Sequence, residues 1–178
     1  MAARFSCFVR RLRVPKMLAE EPLMDRWSGI EAKARRITLF LLRVISGLVF
    51  MQAGGMKIFD WFGGIPAEYG GHPAMFTQTW IGGVLEFYGG LAILVGLFTR
   101  PVAFLVAGEM AVAYFQAHAP RGFWPLRNGG EPTVLYSFVF LYLFATGAGP
   151  FSLDAVLRRR RESGRFPLHN SLERRVPG

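Results

Sequence analysis

Four long and nearly continuous apolar runs dominate the chain, at residues 37–59, 80–98, 101–119 and 133–149. A helix needs about 20 apolar residues to cross a bilayer, within a range of about 17 to 25. Each run has that length and is apolar on all sides, whereas a surface helix of a soluble protein carries a single apolar stripe. One domain of 178 residues cannot hide four such helices from water. The pattern therefore predicts an all-α integral membrane protein built as a four-helix bundle.

The rest of the chain divides around this membrane domain, which we assign to residues 37–157. Residues 1–36 are mixed and basic, and they are read as a cytoplasmic extension whose pieces are either surface-lying helices or disordered chain. They lack the apolar core of about 7 to 15 residues that a secretory signal requires, so the first run is expected to direct insertion. Met17 and Met24 stay open as alternative starts. Residues 158–178 form a second basic tail.

The distribution of positive charge predicts the orientation in the membrane. The net charge is +9, and nine of the 21 Lys and Arg residues lie in residues 1–36 while seven more follow residue 149. An even number of spans places both termini on one side, and the positive-inside rule makes that side cytoplasmic. The same distribution accounts for the charge without a nucleic-acid partner. The chain is therefore predicted to lie in a membrane that borders the cytoplasm, with the lipid bilayer as the first partner.

Three charged residues, Arg43, Glu86 and Glu109, fall well inside the apolar runs, away from their ends. Insertion scales assign about 2.5 to 3.5 kcal/mol to such a residue at a helix centre, so each should face the bundle interior and have a partner. Lys57 follows Arg43 by 14 residues, close to four helical turns, and projects from nearly the same face. The sequence therefore predicts an internal ladder of Arg43, Glu109, Glu86 and Lys57, with Lys57 above Glu86 and Arg43 below it.

Glycines flank this predicted ladder. Gly47 and Gly54 lie on the face between Arg43 and Lys57, and the pairs Gly82–Gly83 and Gly89–Gly90 bracket Glu86 at offsets of three and four residues. Small residues at these offsets make a flat surface on which a second helix can lie closely.

The ladder has two interpretations. It is either a neutralised charge cluster that fixes helix register or a polar cavity that binds a substrate or passes protons. On the third run, a small and polar strip continues from Glu109 through Ala113 to Gln116. These residues alone do not separate the two interpretations, and no catalytic residue is assigned.

The histidines and the cysteine limit the cofactor chemistry. His72 in the first outer loop and His118 at the end of the third run are expected to approach each other on the outer side. They lack metal-ligand spacing, and the paired axial histidines of an intramembrane haem are missing, so neither a metal nor a haem is expected. Cys7 is the only cysteine. Redox chemistry would therefore need a bound cofactor or the thiols of a partner.

Five segments in order resemble the DoxX family of small bacterial membrane proteins, over about residues 37–157. They are LLRVISGLVFMQAGGMKIF, VLEFYGGLAILVGLFTRP, AGEMAVAYF, GFWPLRNGGEPTVLYSFVFLYLF and GAGPFSLDAVL. The positions that match the family pattern are Arg43, Lys57, Glu86, Gly90, Arg100, Glu109, Met110, Ser152, Leu153 and Asp154. The family usually has Gly-Pro-Gly before Ser-Leu-Asp, where this chain has Ala148 and Pro150. Gly and Pro still end the helix there.

The resemblance implies a four-helix membrane protein related to the DoxD subunit of thiosulfate:quinone oxidoreductase and linked with oxidative or thiol stress. The first hypothesis is a subunit of a redox complex, with the charged cluster beside a quinone or a thiol-exchanging partner protein. The second is a small transporter, which would have to form a homo-oligomer because four spans without an inverted repeat are few for a carrier. The third is a non-catalytic membrane scaffold.

Overall fold

A computed structural model describes residues 21–163, and it describes side chains from residue 28 onward except that of Tyr69. Residues 36–163 belong to one compact unit, which holds every feature discussed below. The predictions that concern residues 1–20 and 164–178, including Cys7 and the start of the chain, lie outside the described residues.

Most of the described residues are in helices. Its helices are α1 (Glu21–Phe59), α2 (Gln78–Val95), α3 (Thr99–Ala113), α4 (Pro125–Asn128), α5 (Glu131–Thr146) and α6 (Leu153–Ser163). A π-helical turn, Tyr114–His118, continues α3, and three short 3-10 turns lie in the two longer loops. No strand occurs between residues 21 and 163. The predicted all-α class is confirmed.

Three helical segments are long and apolar enough to cross a membrane, namely Ser28–Phe59, Gln78–Val95 and Thr99–Arg121. The protein is therefore a helical membrane protein. The fourth apolar helix, α5, has 16 residues and is shorter. At about 1.5 Å per residue it extends about 24 Å, against a hydrocarbon core of about 30 Å. The count of four complete spans stays a prediction.

Two helices have bounds that differ from those of the predicted spans. The first is already helical at Glu21, the first described residue, whereas the predicted span starts at residue 37. The stretch before residue 37 is rich in Glu, Ala, Lys and Arg, which are good helix formers, so the helix continues through it. The second helix ends at Val95 rather than at residue 98. Gly96 follows it in the left-handed region with φ 73°, and the Leu97 N–H donates to the Ala92 carbonyl at 2.9 Å, which closes the helix.

Four helices share one hydrophobic core. Its buried members are Phe50 of α1, Ile93 of α2, Ala103, Val106, Ala107 and Met110 of α3, and Phe140 and Leu143 of α5. The rings of Phe50 and Phe140 meet edge to face, with centroids 4.7 Å apart. The helices are thus packed around a common interior, as the sequence predicts for a bundle.

Helices α1 and α2 touch through their backbones at two glycine pairs. A Cβ atom added to Gly54 would lie 2.6 Å from the Gly83 carbonyl oxygen, and one added to Gly47 would lie 2.9 Å from the Gly90 carbonyl oxygen. Real side-chain carbons do not approach backbone atoms this closely. The predicted flat glycine surface is confirmed, and it allows the two helices to pack without intervening side chains.

The start of α3 is capped by a residue from the far end of the domain. Asp154 Oδ1 accepts a hydrogen bond from the Phe98 N–H at 2.8 Å, and its Oδ2 accepts one from the Thr99 N–H at 3.0 Å. The Asp154 N–H in turn donates to the Gly96 carbonyl at 2.9 Å. A carboxylate here satisfies free N–H groups and interacts favourably with the positive end of the helix dipole. The Ser-Leu-Asp motif therefore fastens α6 to the turn between α2 and α3.

Replacing Asp154 with Ala should destabilise the protein by about 0.5 to 2 kcal/mol, because two N–H groups lose their acceptor. Asp154→Asn should fall between Asp154→Ala and the parent, since its amide has one acceptor oxygen. Glu162→Gln is the control because Glu162 is exposed on the same helix. Thermal unfolding in detergent measures the three variants. Equal melting temperatures for Asp154→Ala and Glu162→Gln would contradict the capping role.

Candidate ligand pocket

Lys57 and Glu86 form a direct ion pair near the end of α1. Lys57 lies in the last turn of α1, and its Nζ donates to Glu86 Oε1 at 2.5 Å. The Glu86 residue is 4% exposed, whereas 27% of the Lys57 side chain is exposed. Gly83 allows Lys57 to approach α2 this closely, because a Cβ atom at Gly83 would lie 2.7 Å from the Lys57 Cβ. The predicted position of Lys57 next to Glu86 is confirmed.

Glu109 reaches the same place from α3. The tight turn at Gly96 makes α2 and α3 antiparallel neighbours, with Glu86 nine residues before the end of α2 and Glu109 ten residues after the start of α3. The two residues are therefore at similar depth. A Cβ atom at Gly82 would lie 3.2 Å from Glu109 Oε1, so the glycine leaves room for this carboxylate. The structure brings together three of the four predicted residues.

Arg43, the fourth predicted residue, lies elsewhere, and this part of the predicted ladder is wrong. Its guanidinium donates to the carbonyls of Ile93 at 3.3 Å and Phe151 at 2.6 Å, and it lies over the Phe40 ring. Ile93 follows Glu86 by seven residues, or about 10 Å along α2. The carbonyls in the last turn of a helix lack backbone partners and carry partial negative charge, which attracts a cation. Because α2 ends early, those carbonyls lie at the depth of Arg43.

A cavity of about 690 Å³ surrounds the Lys57–Glu86 pair and Glu109. Residues of α1, α2, α3 and α5 line it, together with the π-helical turn after α3. The predicted strip of Glu109, Ala113 and Gln116 lies entirely on its wall. At the rim, the Gln78 side-chain amide donates to the Gln116 side-chain carbonyl and links α2 to the π-helical turn. We call this cavity the outer pocket, after the side of the membrane on which the sequence predicts it to lie.

The outer pocket has unsatisfied hydrogen-bond acceptors. Within the described residues, Glu86 Oε2 and Glu109 Oε2 are both buried and have no hydrogen-bond partner. Buried polar atoms are normally paired, and an unpaired one marks a place for a ligand, a proton or water. The remaining wall is mostly apolar, with Phe50, Leu105 and Met110 among its members. Apolar walls with a few convergent polar groups are typical of small-molecule sites.

The two histidines do not meet. His72 Nδ1 lies 2.8 Å from Asp60 Oδ1, whereas His118 Nδ1 lies 3.2 Å from the Asn128 carbonyl oxygen and its Nε2 lies 3.4 Å from Thr133 Oγ1. Their predicted approach is not found, because each has partners in its own part of the chain. Among residues 21–163 no group of three or more His, Cys, Asp or Glu side chains could hold a metal ion.

Sequence reasoning missed Asn128, whose carbonyl oxygen lies 3.2 Å from Nδ1 of His118, a residue of the pocket wall. Asn128 is buried, donates to the Gly122 carbonyl at 2.6 Å and accepts from the Gly130 N–H at 2.8 Å. Tyr114 donates from its hydroxyl to the Phe123 carbonyl in the same loop. The Asn-Gly-Gly sequence is a turn signal, since Asn side chains bond to nearby backbone groups. That signal predicts a turn but does not show that the turn lies against a pocket.

Comparison with known proteins places the chain in a family. The DoxX family model matches residues 38–119. An uncharacterized protein of Haemophilus influenzae is 38% identical over 127 residues, covering 68% of this chain and 92% of that protein. Inner membrane protein YqjF of Escherichia coli is 32% identical over 131 residues, covering 72% and 98% of the two chains. Uncharacterized membrane protein Rv3486 of Mycobacterium tuberculosis is 27% identical over 135 residues, covering 69% and 83%. No solved structure matches. The chain belongs to the DoxX family.

Proposed function

We propose that this protein is a subunit of a redox complex in the bacterial cytoplasmic membrane, and that its outer pocket holds the headgroup of a quinone. The observation that carries the proposal is the meeting of Lys57, Glu86 and Glu109 in one cavity between apolar helices. A quinone has the matching chemistry, with two oxygens for hydrogen bonding on a ring that is otherwise apolar. The cavity volume is also within the range of about 300 to 1,000 Å³ that is usual for ligand sites.

The rim of the outer pocket supports a ligand that comes from the lipid. Ile81 and Leu85 of α2 and Leu105 and Val112 of α3 line the cavity and are also exposed on the outside of the bundle. In a membrane these positions of the helices face the hydrocarbon, so a lipid-soluble molecule can enter between α2 and α3. A water-soluble substrate would not enter through an apolar rim that faces the hydrocarbon.

The carboxylates fit the proton balance of quinone chemistry. Reduction of a quinone to a quinol consumes two electrons and two protons, and oxidation releases them. Glu86 and Glu109 are placed to exchange the protons with the ligand, while the electrons come from or go to a partner protein of the complex. Cys7 is the only cysteine and cannot form an internal disulfide, so thiol–disulfide exchange would need a thiol of the partner. With both termini cytoplasmic, the pocket would lie in the outer half of the membrane.

One observation favours a second candidate, a permeation pathway. Another cavity, of about 380 Å³, lies between α1 and α5, and it touches Tyr136 as the outer pocket does. Thr38 and Ser46 supply the hydroxyl groups on its otherwise apolar wall. Movement of Tyr136 would join the two cavities into a path for a solute or a proton. A scaffold, the third alternative, needs neither cavity.

Quinone binding can be tested on the purified protein. We expect saturable binding of a short-chain ubiquinone by isothermal titration calorimetry in mild detergent. Glu109→Gln should weaken the affinity by about tenfold, or about 1.4 kcal/mol, because it replaces one pocket carboxylate. Glu68→Gln is the matched control, since Glu68 is exposed in the first outer loop.

The outcomes distinguish the candidates. Absence of saturable binding, or equal affinities for Glu109→Gln and Glu68→Gln, would contradict the quinone site. Solute or proton flux through reconstituted protein, in the absence of quinone binding, would support the permeation pathway instead. Mass spectrometry of the proteins that co-purify would identify the redox partner that the proposal requires.

A further inference from the structure

Helix α6 exposes an apolar face at the end of the bundle remote from the outer pocket. Leu153, Val156 and Leu157 are each between 45% and 47% exposed, although leucine and valine are usually buried. Their spacing of three and four residues places them on one face of the helix. Ala155 of the same helix is buried, so the apolar face is distinct from the face that packs on the protein. Phe151, just before α6, is exposed as well.

Four consecutive arginines follow the apolar residues of α6 directly in the sequence. Arg158, Arg159, Arg160 and Arg161 are all exposed. The ion pairs found among the described residues are Lys57–Glu86 and His72–Asp60, so none of these guanidinium groups has a salt bridge there. An apolar face joined to unpaired arginines is typical of a helix that lies at a membrane surface.

The cap on α3 fixes where α6 begins. Asp154 bonds to the N–H groups of Phe98 and Thr99, at the point where one membrane-spanning segment ends and the next begins. Phe98 lies in that turn and is exposed. The apolar residues of α6 are within its first five positions, so they lie within about 6 Å along the helix of a membrane boundary. The arginines follow at a distance that a flexible guanidinium side chain can cover.

We propose that α6 is a lipid-binding helix that takes anionic phospholipid headgroups of the surrounding membrane. Its leucine and valine side chains enter the boundary between headgroups and acyl chains, and its arginines donate to the phosphate oxygens. The complementary charge selects anionic lipids over zwitterionic ones, since polybasic segments beside a span are attracted to negative surface charge. This interaction is independent of the outer pocket and of the quinone proposal.

A fluorescent probe on α6 tests the proposal in the full-length protein. An environment-sensitive dye is attached to Val156→Cys in a Cys7→Ser background, and the protein is reconstituted into phosphatidylcholine vesicles with or without about one-third phosphatidylglycerol. We expect the emission to shift to shorter wavelength when phosphatidylglycerol is present. The difference should disappear at about 1 M salt, where the Debye length is about 3 Å. The same dye at Glu68→Cys, in the first outer loop, should not respond.

The arginines provide the matched comparison. Replacing Arg158, Arg159, Arg160 and Arg161 together with Gln should abolish the shift while the protein stays inserted, because none of the four packs in the core. Mass spectrometry of lipid retained after purification is the second measurement, and it should show fewer anionic lipids on this variant. Identical emission in the two vesicle types, or an unchanged shift and unchanged lipid retention in the Gln variant, would overturn the proposal. A shift that appears only when another protein is added would also overturn it.

Discussion

Gly54→Ala should destabilise the protein strongly, although it adds a single methyl group. The new Cβ atom would lie 2.3 Å from the Phe87 backbone nitrogen and 2.6 Å from the Gly83 carbonyl oxygen. Both atoms belong to the backbone of α2, so no side-chain rotation relieves the overlap. Overpacking of this kind costs about 1 to 3 kcal/mol and occasionally more, and we expect the upper part of that range. Thermal unfolding in detergent measures the loss.

Gly108→Ala is the control for this prediction. Gly108 is also inside a helix of the bundle, but a Cβ atom there would have no atom within 4 Å. Because alanine is a better helix former than glycine, this variant should be unchanged or more stable by up to about 1 kcal/mol. Similar losses in Gly54→Ala and Gly108→Ala would show that the contact between α1 and α2 is not as close as the structure has it.

The same substitution should also weaken the outer pocket. Lys57 follows Gly54 by three residues on α1, close to one helical turn. If α1 moves away from α2, the Lys57 ammonium moves away from Glu86, and the 2.5 Å ion pair is lost. Gly54→Ala should therefore lose quinone affinity even under conditions in which it stays folded. The close packing of two helices and the geometry of the pocket depend on the same glycine.

Much of this arrangement could be predicted from sequence because it is local. The apolar runs are long enough to identify helices, and glycines at offsets of three, four and seven residues identify helix faces that approach closely. Lys57 and Glu86 were predicted to meet because both lie on such glycine-lined faces. The strip from Glu109 to Gln116 needed only helical periodicity. Each of these inferences rests on spacing within one helix, which fixes the face on which a residue lies. The contact between Lys57 and Glu86 then follows where two such faces meet.

The features that sequence reasoning missed depend on helix ends and on distant segments. Gly96 lies in an apolar run and was predicted to be part of a span, yet its left-handed conformation ends α2. The position of each α2 residue, measured along the helix from that end, therefore changes. Counting from residue 98 placed Glu86 three residues too far from the end of its helix, so Glu109 was predicted at the depth of Arg43 rather than at that of Glu86. The bond between Asp154 and the start of α3 joins residues 55 positions apart, and no periodic pattern reports such a contact. Asn128 was missed for a different reason, because its turn signal does not indicate that the residue is buried.

Glu86→Gln tests the pocket and the corrected position of Arg43 together. The substitution keeps the shape of the side chain but removes its charge, so Lys57 loses its partner. Breaking a buried pair costs about 3 to 5 kcal/mol. Lys57 is partly exposed and can turn toward water or Glu109, so we expect a smaller loss of about 1 to 3 kcal/mol. Thermal unfolding of the parent, the two single variants and the double variant with Lys57→Met gives the coupling between the two residues.

The coupling should identify the partner of Glu86. Lys57→Met made with Glu86→Gln should recover part of the loss, with an interaction energy of about 0.5 to 3 kcal/mol, because the two side chains are in contact. Arg43→Gln made with Glu86→Gln should instead be additive within about 0.5 kcal/mol, because Arg43 bonds to Ile93 and Phe151 and shares no partner with Glu86. If Arg43→Gln recovered stability lost in Glu86→Gln and Lys57→Met did not, Arg43 rather than Lys57 would be the partner of Glu86. The ladder predicted from helical spacing would then be correct. Additivity in both pairs would leave Glu86 without an electrostatic partner, and the case for a charged ligand pocket would fail with it.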